Sequence, residues 1–336
     1  MSLTKINVGI VGATGYTGLE LVKMLINHPI FNLNYIANSE GGTTINKLHP
    51  SLNSVCEESV HKADIKDIVL HCEVVFLALP HKTAMEYVKP LIEKGVKVVD
   101  LSADYRLTQE VYEEFYTTHT DSENLSHVVY GLPELFREEL KSAKLIANPG
   151  CFPTSALLGL LPFMKKRVEN TPIIIDAKTG VSGAGKKLSE VTHFVNVNDN
   201  IFAYNPLLHR HAPEIAQKLG VDFEEVNFVP HLVPITRGML SSIYIQVEGE
   251  FDAYALLQQF YKDDIHIRVS QNPVDMKNVA GTNFCDIYVK QRGNMLFISS
   301  AIDNLMRGAS SQALVNANIM MGLDESMGVP NIAYVP

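Results

Sequence analysis

Over the first 150 residues, short apolar runs rich in β-branched side chains alternate with amphipathic stretches of helical period. Ile6–Val11 reads as a buried strand, and residues 18–27 as a helix stopped by Pro29. Residues 33–37 and 74–78 predict further strands. A helix over 83–94 follows and stops at Gly95, and strands at 97–101 and 145–147 complete the set. Strands alternating with helices imply a parallel, doubly wound sheet, so residues 1–150 are expected to form one α/β domain. After residue 151 the texture changes. A helix over 155–166 leads to a strand at 173–177 that ends in a glycine-rich loop at 180–185, and Ala212–Leu219 is a short helix closed by Gly220. Longer strands at 240–248, 284–290 and 295–302 then follow with few helices between them, which predicts an antiparallel or mixed sheet and an α+β second domain over 151–305. The last helical run, 306–321, is rich in small residues (Gly308, Ala309, Ser310, Ser311, Ala313). Its small face predicts close packing back on the first domain, which residues 306–336 would join.

The bulk properties narrow the class. At 336 residues the chain is too long for one ordinary core and suits two domains. With 46% hydrophobic and 19% charged residues it is an ordered globular protein, without repeats or low-complexity tracts. No apolar run approaches the roughly 18–20 residues that span a bilayer, so no membrane partner is expected. A strand-like stretch begins by Lys5, which leaves no room for a secretory leader. Cys56, Cys72, Cys151 and Cys285 lie too far apart for paired zinc ligands; no metal site is expected, and free thiols in a reducing cytoplasm are. A net charge of −9 argues against nucleic acid as a partner. Small anionic substrates remain open where cations are local.

Candidate chemistry centres on Asn148-Pro149-Gly150-Cys151-Phe152-Pro153-Thr154. A cysteine just ahead of a helix start sits at the positive end of the macrodipole, which favours the thiolate, the nucleophile of covalent catalysis. A buried cysteine serving as a small hydrophobe is the alternative. Gly12-Ala13-Thr14-Gly15-Tyr16-Thr17-Gly18 follows the first strand directly and opens the first helix, in GxxGxxG spacing. Glycines there permit a tight turn and close backbone approach to a pyrophosphate at the helix N-terminus. After the second strand, where an acid usually binds the ribose, the chain reads Asn38-Ser39 with Glu40 one step beyond. Neutral hydrogen-bonding groups tolerate a 2′-phosphate better than a carboxylate does, which favours NADP over NAD, although no arginine is adjacent.

His209-Arg210-His211-Ala212-Pro213-Glu214 is the second dense cluster. Either histidine is a candidate to hold the thiolate and shuttle a proton, and Glu214 is placed to orient or charge His211 across a helical turn. The candidate anion clamps are Arg106 in Ser102-Ala103-Asp104-Tyr105-Arg106, Arg210, and Arg237. An internal ion pair between Asp104 and Arg106 is the competing reading. Lys186 and Lys187 are read as surface residues, and His81 as a histidine at a strand end.

Together these residues resemble the N-acetyl-gamma-glutamyl-phosphate reductase family, within the aspartate-semialdehyde dehydrogenase-like superfamily. The resemblance covers nearly the whole chain. It rests on Gly12 to Gly18, Asp100 to Arg106, Tyr130-Gly131-Leu132-Pro133-Glu134, Asn148 to Thr154, Ser182-Gly183-Ala184-Gly185-Lys186, His209 to Glu214, and Ile302-Asp303-Asn304-Leu305. Phe152 stands where tyrosine is frequent, and Asn38-Ser39-Glu40 where a more basic or serine-rich stretch is common; of that stretch only Ser39 carries over. The resemblance implies a Rossmann-type cofactor domain, NADP(H) as cofactor, a nucleophile at Cys151, a catalytic histidine in the His209/His211 pair, and a homo-oligomer, dimer or tetramer. It further implies cofactor contacts from the first glycine loop, from Ser182, Gly183, Ala184 and Gly185, and from Asn304 near the nicotinamide. The implied reaction is reduction of an acyl phosphate to a semialdehyde through a thioester on Cys151. Two alternatives are a relative acting on aspartyl phosphate or a carrier-bound aminoadipyl phosphate, and a non-catalytic NADP-binding sensor.

Overall fold

The computed structural model describes residues 4–334. The chain divides into two units, the first comprising Met1–Pro149 with Ala309–Val329 and the second Gly150–Gly308 with the chain from Pro330 onward.

The first unit is built on an eight-stranded sheet. In chain order its elements are β1 (Ile6–Val11), α1 (Tyr16–Leu25), β2 (Phe31–Asn38), β3 (Thr43–Thr44), α2 (Ile45–Leu48), β4 (Ser59–Lys62), α3 (Ile65–His71), β5 (Val74–Leu77), α4 (Met85–Glu93), β6 (Lys97–Asp100), α5 (Gln109–Phe115), β7 (Val129–Tyr130), α6 (Pro133–Ser142) and β8 (Leu145–Ala147). The strand order is β3-β4-β2-β1-β5-β6-β8-β7, parallel throughout except that β3 runs antiparallel to β4. Alternate strand residues feed opposite faces, and both faces are buried. Val11, Val75, Leu77, Val98 and Ala147 pack with Ile68 of α3 and Val88 of α4. Their neighbours Ile10, Val74, Phe76, Val99 and Ile146 are equally buried. The order reverses between β1 and β5, and that switch point is where doubly wound sheets bind ligands.

The predicted core strands are all present. The small pieces β3, β4 and β7 and the helices α3, α5 and α6 carried too little periodicity to be read. The first helix starts two residues earlier than predicted, at Tyr16, directly on the glycine loop.

The second unit contains α7 (Cys151–Leu160), β9 (Ile173–Gly180), α8 (Phe194–Val197), β10 (Phe202–Ala203), α9 (Ala212–Leu219), β11 (Val226–Val233), β12 (Met239–Gln246), α10 (Ala253–Phe260), β13 (Ile267–Ser270), β14 (Cys285–Arg292) and β15 (Met295–Ile302). Its seven strands run β10-β11-β9-β12-β15-β14-β13 in one mixed sheet. β11 and β9 are parallel, as are β13 and β14, while β12 pairs antiparallel with both β9 and β15. Strand β11 escaped the sequence reading because Pro230 interrupts it. Its missing N–H is tolerated because β10 covers only two positions on that side.

Helix α7 was expected to run from 155 to 166. It starts at Cys151 and stops at Leu160, where Pro162 turns the chain into a 3₁₀ segment over Leu161–Lys166. Every residue of α7 after Cys151 is buried. The side facing the sheet is small: Ser155 Oγ donates to Ser241 Oγ at 2.9 Å, and a side-chain carbon at Gly159 would lie 3.1 Å from Ile243.

The final helical run is present, with a change of type within it. Met306–Ser310 forms one π-helical turn, and only Ser311–Met320 (α11) is α-helical; the expected span to 336 runs into residues outside those described. The chain rejoins the first unit at Ala309. There Ser310 Oγ donates to the Thr17 carbonyl at 2.9 Å, and Asn316 Nδ2 donates to the Gly131 carbonyl at 2.9 Å and to Asn148 Oδ1 at 3.0 Å. Among the described residues no helix is long and apolar enough to cross a membrane.

The tight seating of α7 yields a first expectation. Gly159→Val overpacks the contact with Ile243 and Ile298 and lowers unfolding free energy by about 1–3 kcal/mol. Urea titration measures it; an unchanged midpoint would mean that the helix is not held at this distance.

Candidate active site

Cys151 is the first residue of α7, with Gly150 as its N-cap. It therefore sits within the helix's positive end, the helix starting four residues earlier than its expected start at 155. The helix is anchored there twice. Thr154 returns both its N–H and its hydroxyl to the Gly150 carbonyl, each at 2.9 Å. On the other side, the Gly150 N–H donates to Glu214 Oε1 at 3.0 Å. Glu214 is 1% exposed and lies in the first turn of α9, so a buried carboxylate grips the amide just ahead of the nucleophile. Sequence spacing placed Glu214 to orient or charge His211; the fold also gives its carboxylate the Gly150 amide. Behind the cysteine, Gly308 of the π turn presses close: a side-chain carbon there would fall 2.7 Å from Cys151 Cβ. Only glycine fits that contact.

Both histidines stand against Phe152, the residue after the nucleophile, at 5.7 Å for His209 and 5.8 Å for His211 between ring centres. The two imidazoles are 4.8 Å apart. His209 Nδ1 accepts the His211 backbone N–H at 3.2 Å, which assigns the His209 hydrogen to Nε2 in the neutral ring. Burial, reinforced by the Arg210 charge, pushes His209 down to about 4. Arg210 itself is exposed.

The sequence reading missed Tyr204. Its ring lies 5.6 Å from that of His209, and burial together with the Cys151 charge raises its hydroxyl far above the ordinary tyrosine range, so it stays a phenol. No local pattern marks it, since β10 is too short to read.

In the same unit Asn304 ties the second glycine loop down. Its Nδ2 donates to Ser182 Oγ at 3.0 Å and its Oδ1 accepts the Gly238 N–H at 2.8 Å. Gly183, Ala184 and Gly185 are exposed beside it. Arg237 is held at 3.4 Å by Asp303, a fully buried carboxylate that also accepts the N–H groups of Gly281, Leu305 and Met306. Lys186 and Lys187 are exposed.

In the first unit, the loop after β6 is held by buried acids. Asp104 accepts from Lys82 N, Ala84 N and the Tyr112 hydroxyl at 2.7, 3.1 and 2.9 Å. Asp100 accepts from Ser102 N and Oγ, and burial followed by the charge of Asp104 pushes it up to about 7. His81 Nδ1 accepts the Ala103 N–H at 2.9 Å. Arg106 donates through Nε to the Asn148 carbonyl and through Nη2 to that of Leu101, both at 2.7 Å. Of the two readings offered for Arg106, these recorded bonds are internal ones, although to backbone carbonyls.

The glycine loop fits a dinucleotide pyrophosphate. Gly12 has φ +100°, and a side chain on it would strike Ala78 O at 2.2 Å; one on Gly18 would strike Gly12 O at 2.5 Å. Both glycines are thus demanded by packing of loop, strand and helix. Gly15 differs: a side-chain carbon there would make only ordinary van der Waals contact, 3.8 Å from Gly12 O, at the N-cap of α1. That is the cradle a phosphate takes at a helix N-terminus. Asn38 Nδ2 supports the rim, donating to Thr14 Oγ1 at 3.0 Å, while Ser39 and Glu40 are exposed. Tyr16, at the start of α1, is exposed as well.

The family models place this architecture among dehydrogenases of semialdehydes. Residues 7–143 match the semialdehyde dehydrogenase NAD binding domain, and residues 151–304 the semialdehyde dehydrogenase dimerisation domain. The chain is 74% identical to the N-acetyl-gamma-glutamyl-phosphate reductase of Sulfurimonas denitrificans, over 99% of this chain and 100% of that one. It is 42% identical to the protein of that name from Methanocaldococcus jannaschii, over 98% and 99%. Among solved structures, the aspartate semialdehyde dehydrogenase II of Vibrio cholerae superposes with a TM-score of 0.70 at 16% identity, covering 95% of this chain and 99% of that one. At that identity the likeness is one of fold. The chain belongs to the semialdehyde dehydrogenase family and, within it, to the N-acetyl-gamma-glutamyl-phosphate reductases.

Two outcomes follow from this geometry. Gly18→Ala is expected to lower the melting temperature, whereas Gly15→Ala leaves it unchanged and weakens dinucleotide binding in calorimetry; equal effects on both readouts would refute the division of roles. His209 is neutral in the folded chain down to about pH 4, but takes up a proton near its usual 6.5 when unfolded. Stability is therefore full above pH 6.5 and falls as pH drops toward 4, by about 2–3 kcal/mol. His209→Asn, which can keep an acceptor for the His211 N–H, should flatten that part of the stability–pH curve, as followed by urea unfolding at pH 7, 5.5 and 4.5.

Proposed function

We propose that the chain catalyses NADPH-dependent reductive dephosphorylation of N-acetyl-gamma-glutamyl phosphate to N-acetylglutamate 5-semialdehyde, a step of arginine biosynthesis. The observation that carries the reading is Cys151 at the first position of a buried helix, with the preceding amide gripped by Glu214 and two imidazoles packed on the next residue.

An acyl phosphate is an activated carboxyl group. The Cys151 thiolate attacks its carbonyl carbon, the bond to the phosphate oxygen breaks, and inorganic phosphate leaves with the electron pair, so that a thioester remains on sulfur. The oxyanion that develops at the carbonyl is stabilised by backbone N–H groups in the first turn of α7, that of Phe152 among them; Pro153 has none to offer. A nicotinamide cofactor held at the Gly12 to Gly18 loop would supply the hydride that takes the Cys151 thioester to a thiohemiacetal. Its collapse releases the semialdehyde and the sulfur. The accompanying proton needs a basic carrier. His209, at about 4, is too weak a base for that role, so its Nε2–H serves as a fixed donor and His211 carries the proton. Tyr204 adds a phenol that keeps its proton beside the sulfur. Glu214 keeps α7 in place through Gly150.

Cofactor binding is assigned to Gly12, Thr14, Gly15, Tyr16, Thr17, Gly18 and Ser39 in the first unit and to Ser182, Gly183, Ala184, Gly185 and Asn304 in the second. Arg237, oriented by Asp303, Arg210, exposed beside the histidines, and Arg106 are assigned as the cations for the anionic substrate. The working form is a homodimer or homotetramer in the cytoplasm, where all four cysteines stay free, as they are here.

NADP+ reduction with N-acetylglutamate semialdehyde and phosphate tests the reading. Wild type should turn over in a phosphate-dependent manner, and Cys151→Ser should lose at least about 10³-fold in kcat. Turnover of aspartate semialdehyde instead would replace the substrate. Unchanged activity in Cys151→Ser would remove the thioester. For Glu214, Gln keeps an acceptor for the Gly150 N–H and should retain much of kcat, whereas Ala should not; a Gln variant as poor as Ala would mean that the charge, and not the grip on the helix, matters.

A further inference from the structure

Preference for NADP(H) requires a cation for the ribose 2′-phosphate, and the turn after β2 offers none: it reads Asn38-Ser39-Glu40-Gly41-Gly42. Asn38 occupies the place, about twenty residues past the glycine loop, where NAD-binding sheets carry an acid. Its amide is already committed. Oδ1 accepts the N–H groups of Glu40 at 2.9 Å and Gly41 at 2.7 Å, and Nδ2 donates to Thr14. Asn38 therefore shapes the turn and fastens it to the phosphate loop.

The cation comes from the neighbouring strand. β4 pairs in parallel with β2, with Ala37 opposite His61 and Asn38 opposite Lys62. Side chains in register on adjacent parallel strands leave the sheet on the same face. The rings support this: Tyr35, on the Ala37 face, stacks on His61 at 5.3 Å. Lys62 accordingly projects from the opposite face, the one from which Asn38 reaches Thr14. It lies one strand, or about 4.8 Å, further out. The turn bearing Ser39 is packed directly on it, since Gly41, at φ +69°, would place a side-chain carbon 2.4 Å from the Lys62 backbone nitrogen. The Lys62 side chain is exposed, and among the described residues its ammonium enters no ion pair or hydrogen bond. A lysine without an internal partner, beside a serine hydroxyl at the ribose end of the cradle, has the chemistry of a phosphate monoester site.

We propose that Lys62 selects NADP(H) over NAD(H) by pairing with the 2′-phosphate, with Ser39 as the neutral donor beside it. The proposal rests on the NADP(H) reading above. Glu40, exposed in the same turn, is the competing group, because its carboxylate would favour a free ribose hydroxyl.

The test is calorimetric binding of 2′,5′-ADP and 5′-AMP to wild type, Lys62→Ala and Lys62→Arg, with melting temperatures recorded without ligand. Wild type should bind 2′,5′-ADP more tightly than 5′-AMP. Lys62→Ala should weaken 2′,5′-ADP by roughly 10–100-fold, as expected for loss of a charged hydrogen bond, and leave 5′-AMP and the melting temperature unchanged. Lys62→Arg should restore most of the loss. If wild type prefers 2′,5′-ADP and Lys62→Ala retains that preference in full, the role of Lys62 is overturned while NADP(H) use stands. If wild type shows no preference, NADP(H) use itself fails, and the proposal with it.

Discussion

One hydrogen bond, from the Gly150 N–H to the Glu214 carboxylate, carries a constraint on which the chemistry depends. A nucleophile at the first position of a helix benefits from the helix only if that end is dry and fixed. Helix α7 meets both demands. It is apolar nearly all round and buried from Phe152 to Leu160, so water is kept from its sides. The cost of such burial is that the polar groups at its N-terminus need partners inside the protein. Thr154 and Glu214 supply them, one from within α7 and one from α9, while Gly308 leaves no space for the cysteine to retreat. Sulfur, amide and carboxylate are thus set in one rigid corner of the second unit.

The first unit follows the same logic with different groups. Its loops leave a sheet buried on both faces, and polar loop backbone at such a sheet end needs internal acceptors. Asp100 provides these for the chain after β6, Asp104 for the chain between β5 and α4, and Asn38 for the turn after β2, while Asn316 donates to the Gly131 carbonyl in the turn before α6. Buried acids and amides act here as fixed terminals for backbone N–H groups. That is why residues that look ligand-ready in a linear motif, Asp104 foremost, turn out to hold neighbouring backbone. Arg106 shares this character: two of its donors are spent on the carbonyls of Asn148 and Leu101.

The division between folding and function is clearest among the glycines of the first loop. Gly12 and Gly18 are required by contacts of 2.2 and 2.5 Å that any side chain would make, whereas a Cβ at Gly15 would come no closer than 3.8 Å to its neighbours. A single motif therefore contains two residues kept for packing and one kept for approach to a ligand.

Local patterning by itself determined the doubly wound strands of the first unit, the short helix Ala212–Leu219, the glycine cradle, and the pairing of a helix-start cysteine with a histidine-rich turn. These are properties of runs of roughly four to twelve residues, where period, caps and glycine spacing act at short range. Strand β11 lay beyond that reach, because Pro230 breaks its pattern and only the short partner β10 makes the break tolerable. So did the end of α7 at Leu160, the π turn before α11, and the entry of Tyr204 into the site. A partner of Glu214 was decided by tertiary structure as well: its carboxylate meets the Gly150 amide, sixty-four positions away in sequence. Sequence spacing reports which groups can share a helix face. Which buried donor a carboxylate answers depends on what the packing of other elements has cut off from water, and only the folded chain decides that.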